Sequence, residues 1–183
     1  GLKTSQRKPI AYSRKKWGAK IGKENLIQMK VAHLANYTSA ETHYHHGEKS
    51  LCDAIANMVC DFPGSNNMPY FKADGMFGTR ETDAADSRYT FTRPQWWWPL
   101  VIKKDDDELL ELDEDEGEKI EPITYLPILP MGLVNGCRGI ATGFSSFIPN
   151  FNPVDLCIWL KLKLLDKPVI RLIPWFRDFK GNL

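Results

Sequence analysis

The chain has 183 residues, enough to bury a core in one or two domains, and its 43% hydrophobic and 26% charged residues are ordinary globular values rather than those of a disordered chain. No apolar run reaches the ~18 residues of a membrane-spanning helix, and no secretory leader pattern is present, so no membrane partner is expected. A net charge of +1 taken alone argues against a nucleic-acid binder, but the charge is unevenly placed: residues 1–50 carry ten Lys/Arg against three acids, and residues 101–121 carry three Lys against eleven Asp/Glu.

Pro9-Ile10-Ala11-Tyr12 followed by Arg14-Lys15-Lys16-Trp17 predicts a short helix that ends at Gly18. Val31, Leu34 and Ala35 have helical spacing in a segment from Lys30 to Tyr37, which Thr38-Ser39 is expected to break. A further helix is predicted from about Glu48 to Asp61. Its Leu51, Ile55, Met58 and Val59 form one apolar stripe, Gly47 or Ser50 can cap it, and Pro63-Gly64 stops it. Two short helices around a polar turn suggest a helix-turn-helix. The second helix starts at His45-His46-Gly47, where free backbone amides favour a phosphate.

Residues 71–93 suggest loop and short strand. The run Trp96-Trp97-Trp98 is expected to pack in the core before it stacks on bases, because aromatics are large hydrophobes first. The acidic stretch around Leu109, Leu110 and Leu112 fits loops about a hairpin, with a disordered linker as the alternative. Consecutive carboxylates without a spaced ligand pattern are more often solvated than metal-binding. Residues 125–135 suggest buried extended segments, and Gly136, Gly139 and Gly143 allow close backbone approach. Asp155 to Leu165 predicts a helix with Pro153 near its start and Asp166-Lys167-Pro168 at its end. Cys52, Cys60, Cys137 and Cys157 lack CxxC spacing and are expected to be free thiols. His43, His45 and His46 lack the i, i+4 pattern of a helical metal site.

Arg88-Tyr89, with Tyr44-His45-His46-Gly47-Glu48 upstream and Leu133 to Gly143 downstream, suggests a site that handles a phosphodiester through a tyrosine nucleophile. A phenol is a weak nucleophile at its free pKa near ~10. An adjacent arginine can neutralise phosphate oxygens and a histidine can take part in proton transfer.

Ten words in order carry a resemblance to a known family. They are Gly1-Leu2-Lys3 through Gln6-Arg7-Lys8, Lys30 to Ala35, Tyr44 to Glu48, Phe62 to Asn67, Gly75 to Arg80, Ser87-Arg88-Tyr89, Tyr125 to Pro130, Asn135 to Gly143, Ile148 to Phe151, and Phe179-Lys180-Gly181. The chain resembles the DNA breakage-reunion region of type IIA DNA topoisomerases, nearest to the topoisomerase II of eukaryotes and large DNA viruses. The resemblance implies an α+β fold. A winged-helix domain over residues 1–100 would carry the active-site tyrosine, and residues 101–183 would begin a tower-like domain.

It implies Tyr89 as nucleophile, giving a 5′-phosphotyrosine ester, with Arg88 and His46 as catalytic partners. Lys3, Arg7, Lys8, His45, Lys49 and Asn67 are the implied DNA contacts, and Ile140 the residue that unstacks and bends the duplex. The implied partners are double-stranded DNA and a second copy in a homodimer. ATP and Mg²⁺ would be bound by domains outside this chain, since no Toprim-type DxD module or ATPase module appears here. The chain opens mid-word without Met and is expected to be a piece of a larger enzyme, inactive by itself. Its place of work would be intracellular, in the nucleus or at a cytoplasmic viral replication site. The loop Thr79 to Asp83 is shorter than the family's, Ser87 stands where Pro is common and Met76 where Gln is usual, departures that suggest a viral enzyme. Two other readings of the residues alone are a winged-helix module without chemistry and a metal-dependent nuclease using the acidic run.

Overall fold

The computed structural model describes residues 2–182. The chain forms two compact units. The first contains the residues up to Cys60 together with Tyr70–Ile128, and the second contains Asp61–Pro69 with the residues from Leu129 on. The chain beyond 100 stays in the first unit because Val101 and Ile102 are buried there and Glu121 pairs with Lys8.

The first unit begins with α1 (Thr4–Trp17), β1 (Met29–Lys30), α2 (Val31–Glu41) and α3 (Glu48–Val59), the three helices packing on one another. β2 (Phe71–Asp74) and β3 (Phe91–Pro94) complete an antiparallel sheet in the order β1-β3-β2, with Met29 opposite Thr92 and Asp74 opposite Phe91. Three helices with a small antiparallel sheet confirm the α+β class. The stripe predicted on α3 faces the core: Leu51 and Ile55 are fully buried, each contributing about 1.5–3 kcal/mol.

Two helix boundaries differ from expectation. α1 starts at Thr4, five residues before Pro9, because the Gln6 side chain accepts from the Lys3 amide at 3.0 Å and closes the first turn. α2 continues through Thr38 and Ser39 to Glu41. Thr38 is buried on the packed face of the helix, and tertiary burial outweighs its weak helix propensity.

Trp97 and Trp98 are buried as expected. The Trp98 ring meets Phe71 edge-on at 5.2 Å and its indole N–H donates to the Tyr70 carbonyl. Trp96 is exposed. A short α4 (Trp98–Val101) leads to a 3₁₀ turn at Asp105–Leu109 and then to the hairpin of β4 (Leu112–Asp115) and β5 (Glu118–Pro122). The acidic stretch is thus a turn and a hairpin, whose reversal uses Glu116 and Gly117 at positive φ.

In the second unit, residues 131–134 form a short helix, α5 (Met131–Val134), where an extended segment was expected. Pro130 precedes it, and its carbonyl accepts from the amides of Leu133 and Val134. β6 (Cys137–Ala141) and β7 (Phe144–Ile148) form an antiparallel hairpin, and α6 (Pro153–Leu164) follows, capped by Asn152, whose side chain accepts from the Val154 amide at 2.9 Å. Gly136 has φ +70°, and a Cβ there would lie 2.8 Å from the Ile148 carbonyl oxygen, so the entry into β6 requires glycine. Among the described residues, no helix is long and apolar enough to cross a membrane.

Candidate DNA-cleavage site

Tyr89 lies in the connection between β2 and β3. The connection is tied down by its own hydrogen bonds. Thr79 and Thr82 close a tight turn, the Ala85 amide donates to the Met76 carbonyl at 2.9 Å, and the Tyr89 amide donates to the Asp86 carbonyl at 2.8 Å. Gly78 is obligatory there: its φ is +82° and a Cβ would sit 2.8 Å from the Thr82 carbonyl oxygen.

The tyrosine turn is anchored on the first turn of α2. The Val31 amide donates to the Thr90 carbonyl at 3.0 Å and the Ala32 amide to the Ser87 carbonyl at 3.1 Å. Two amides that a helix start leaves without partners are thereby satisfied by the turn that presents Tyr89. Thr90 is buried while Tyr89 is 72% exposed, so the phenol projects from a fixed base into solvent.

Arg88 is exposed beside Tyr89 and pairs with Asp86. Its Nε donates to Asp86 Oδ1 at 3.0 Å and its Nη2 to Oδ2 at 3.3 Å. The Asp86 carboxyl is held below its ordinary range, first by the side-chain hydrogen bond from Arg88 and then by that from the Arg88 amide. The Arg88 guanidinium is held further above its range, chiefly by the hydrogen bond to Asp86. The charges of Asp86, Tyr89 and Glu48 add to this. Glu48 is the first residue of α3, and Cys52 follows one turn further on. Burial pushes the Cys52 thiol up and away from reactivity, with the nearby Ser87 side chain acting in the opposite direction.

His46 is exposed two residues before Glu48, with its ring edge-on to Tyr44 at 5.2 Å between centroids. His45 is exposed, and its Nε2 lies 2.6 Å from Asp115 Oδ2 at the tip of the β4–β5 hairpin. That contact lowers the Asp115 carboxyl below its ordinary range through the hydrogen bond from His45. Lys3 and Lys49 are exposed, at the start of α1 and in the first turn of α3. Arg7 is half-buried, its guanidinium bent back to the Leu2 carbonyl and the Thr4 hydroxyl, each at 3.3 Å.

Two of the expected DNA contacts, Lys8 and Asn67, are buried. Lys8 is 6% exposed, its ammonium ion-paired with Glu121 at 2.9 Å and donating to the Thr42 carbonyl. Asn67 is 5% exposed. Its amide donates to the carbonyls of Phe151 and Trp175, both at 3.0 Å, and its oxygen accepts from the Arg177 amide at 2.9 Å. Both side chains spend their polar capacity inside the fold. Sequence reading missed three other residues that act like them. Asn135 pairs twice with the Met68 backbone, Asn150 donates to the Ser65 carbonyl, and Glu121 is the counter-charge of Lys8.

Ile140 is 84% exposed on β6, opposite Ser145, next to the turn Thr142-Gly143 with Gly143 at φ +77°. It is a surface residue of the hairpin and no part of the core. On the same face Arg138 lies over the Phe147 ring, 5.6 Å from its centroid. Among the described residues Cys52, Cys137 and Cys157 are free thiols, and the Cys60 thiol donates to the Phe77 carbonyl at 3.4 Å. Among the described residues, no group of three or more His, Cys, Asp or Glu is placed to hold a metal ion.

A family model for the A-type subunit of DNA gyrase/topoisomerase IV matches residues 1–183. DNA topoisomerase 2 of Arabidopsis thaliana is 42% identical over 186 residues, which cover 100% of this chain and 12% of that protein. DNA topoisomerase 2 of Saccharomyces cerevisiae is 40% identical over 187 residues, again with 100% of this chain and 12% of the relative. The chain thus spans a small part of these relatives' length. The crystal structure of the Plasmodium falciparum topoisomerase II DNA-binding, cleavage and re-ligation domain superposes with a TM-score of 0.92 at 40% identity, covering 99% of this chain and 24% of that one. With its exposed, anchored Arg88-Tyr89 turn and a match along its full length, the chain belongs to the DNA gyrase/topoisomerase IV family of type IIA topoisomerases, on the side of their A-type subunit.

Proposed function

We propose that this chain is the part of an ATP-dependent DNA topoisomerase II that breaks and rejoins double-stranded DNA. Tyr89 is the nucleophile. Its phenolic oxygen attacks a backbone phosphorus, the bond from phosphorus to the 3′ oxygen breaks, and the DNA 5′ end remains as a phosphotyrosine ester. Attack of the freed 3′ hydroxyl on that ester reverses the step. Arg88 neutralises the non-bridging phosphate oxygens. His46 accepts or relays the phenol proton. Lys3, Arg7, Lys49 and His45 hold the DNA backbone without regard to sequence.

The observation that carries this reading is the exposed Tyr89 on a turn fixed to α2, with a guanidinium beside it. The hairpin position of Ile140 supports its role as the wedge that opens a base step. We assign the winged-helix role to residues 1–100 and the start of the tower to residues 101–183. In the intact enzyme a homodimer passes a second duplex through the break. Mg²⁺ and ATP are bound by other domains, and by itself this chain binds DNA weakly without cutting it. The short loop before Tyr89, Ser87 and Met76 support a viral enzyme, acting in the nucleus or at a cytoplasmic replication site.

Replacing Tyr89 by Phe in the full-length enzyme removes only the nucleophilic oxygen. Cleavage is expected to disappear while DNA affinity stays within a few-fold. Cleavage that persists in this variant overturns the assignment.

A further inference from the structure

The Arg88 guanidinium has a planar fork of five N–H donors. Its side-on face is already taken: Nε donates to Asp86 Oδ1 at 3.0 Å and Nη2 to Oδ2 at 3.3 Å. The same Oδ1 accepts from the Arg88 backbone amide at 2.9 Å, so the carboxylate is itself held by the turn it belongs to. Backbone, carboxylate and guanidinium form one closed local unit directly before Tyr89. The pairing leaves both Nη1 hydrogens and one on Nη2, and the two that face each other, one on each Nη, form the end-on edge that fits two phosphate oxygens.

We propose that Asp86 is a positioning residue for DNA cleavage: its carboxylate fixes the side-on face of Arg88 so that the end-on edge is presented to the phosphate that Tyr89 attacks. This rests on the reading of Tyr89 as nucleophile. The pair is exposed on both sides, and exposed pairs contribute little to stability, so fold maintenance does not explain it. The bond to the backbone amide alone could be made by asparagine or serine. The second carboxylate oxygen and the negative charge serve only the guanidinium. Arg88 also lies within electrostatic reach of Tyr89 and of Glu48 at the start of α3, so its orientation matters to the phenol and to any anion beside that helix. An arginine free to rotate about its long side chain would lose that orientation at the moment of reaction.

The test is Asp86→Asn in the full-length enzyme. Asparagine keeps an oxygen for the backbone amide and removes the charge and the second acceptor. Single-turnover formation of the phosphotyrosyl adduct is expected to slow roughly ten- to a hundredfold. DNA Kd should stay within a few-fold and the thermal midpoint should be unchanged. In an Arg88→Lys background, where no fork remains to be oriented, the same change should add almost nothing. Two results overturn the proposal. One is adduct formation by Asp86→Asn at or above the wild-type rate, which would mean that the carboxylate merely competes with DNA for Arg88. The other is a loss that lies wholly in Kd or in the thermal midpoint. Tyr89→Phe measured alongside decides the nucleophile independently, so the positioning role can fail while the cleavage role of Tyr89 stands.

Discussion

Changing Lys8 to Ala separates a DNA contact from a structural charge. The Lys8 ammonium lies 2.9 Å from Glu121 Oε2, with the two side chains 7% and 0% exposed. It also donates to the Thr42 carbonyl, and Glu121 Oε1 already lacks a hydrogen-bond partner among the described residues. Without the ammonium, a fully buried carboxylate loses its counter-charge. Breaking one side of a buried pair costs about 3–5 kcal/mol. For a chain of this size each kcal/mol moves the melting temperature by about 2–4 °C, so Tm should fall by roughly 6–20 °C. The double change Lys8→Met with Glu121→Leu removes both charges and should recover most of that loss, because apolar replacement of a buried pair is often neutral or better. Calorimetry of the single and double variants is the assay. A Lys8→Ala variant that melts within a degree of the parent, and whose DNA binding loses about one unit of salt slope, would refute the reasoning and return Lys8 to the DNA contacts.

Three other expectations follow from the same structure. Ile140→Ala should change stability by less than about 0.5 kcal/mol, because the side chain is exposed. It should also reduce DNA bending measured by fluorescence transfer in the full enzyme, and undiminished bending would rule out the wedge. Asn67→Ala should cost about 2 kcal/mol or more in urea denaturation, since it strands buried backbone groups, and should leave the salt dependence of DNA binding unchanged. The depressed Asp86 carboxyl stays ionised above its folded pKa, so its contact with Arg88 is complete above the ordinary aspartate value of 3.8 and is lost as pH falls through a lower folded value. NMR titration of Asp86 should give a midpoint below 3.8 in the parent, moving up towards it in Arg88→Ala.

Much of the first unit was legible in the sequence because its signals are local. The stripe on α3, the stop at Gly18 for α1 and, in the second unit, the Pro153 start of α6 depend on a few adjacent residues. The extent of α2 was not legible, because Thr38 is held in the helix by burial against distant residues. The burial of Lys8 and Asn67 was not legible for the same reason. A lysine at the start of a basic run and an asparagine shortly after a glycine look solvent-exposed until partners 113 and 84 residues away are in place. The Arg88-Tyr89 turn was legible as a motif. Its anchoring on the amides of Val31 and Ala32, and the clasp of Asp86, needed the fold.

The claim that Tyr89 breaks DNA is tested most directly by trapping the full-length enzyme on DNA with denaturant and mapping the covalent adduct by peptide mass spectrometry. The expected result is a phosphodiester-derived mass on the peptide containing Arg88-Tyr89, on the tyrosine oxygen, joined to a DNA 5′ end. An adduct on any other residue, a linkage to a 3′ end, or double-strand cleavage with no covalent adduct would contradict it.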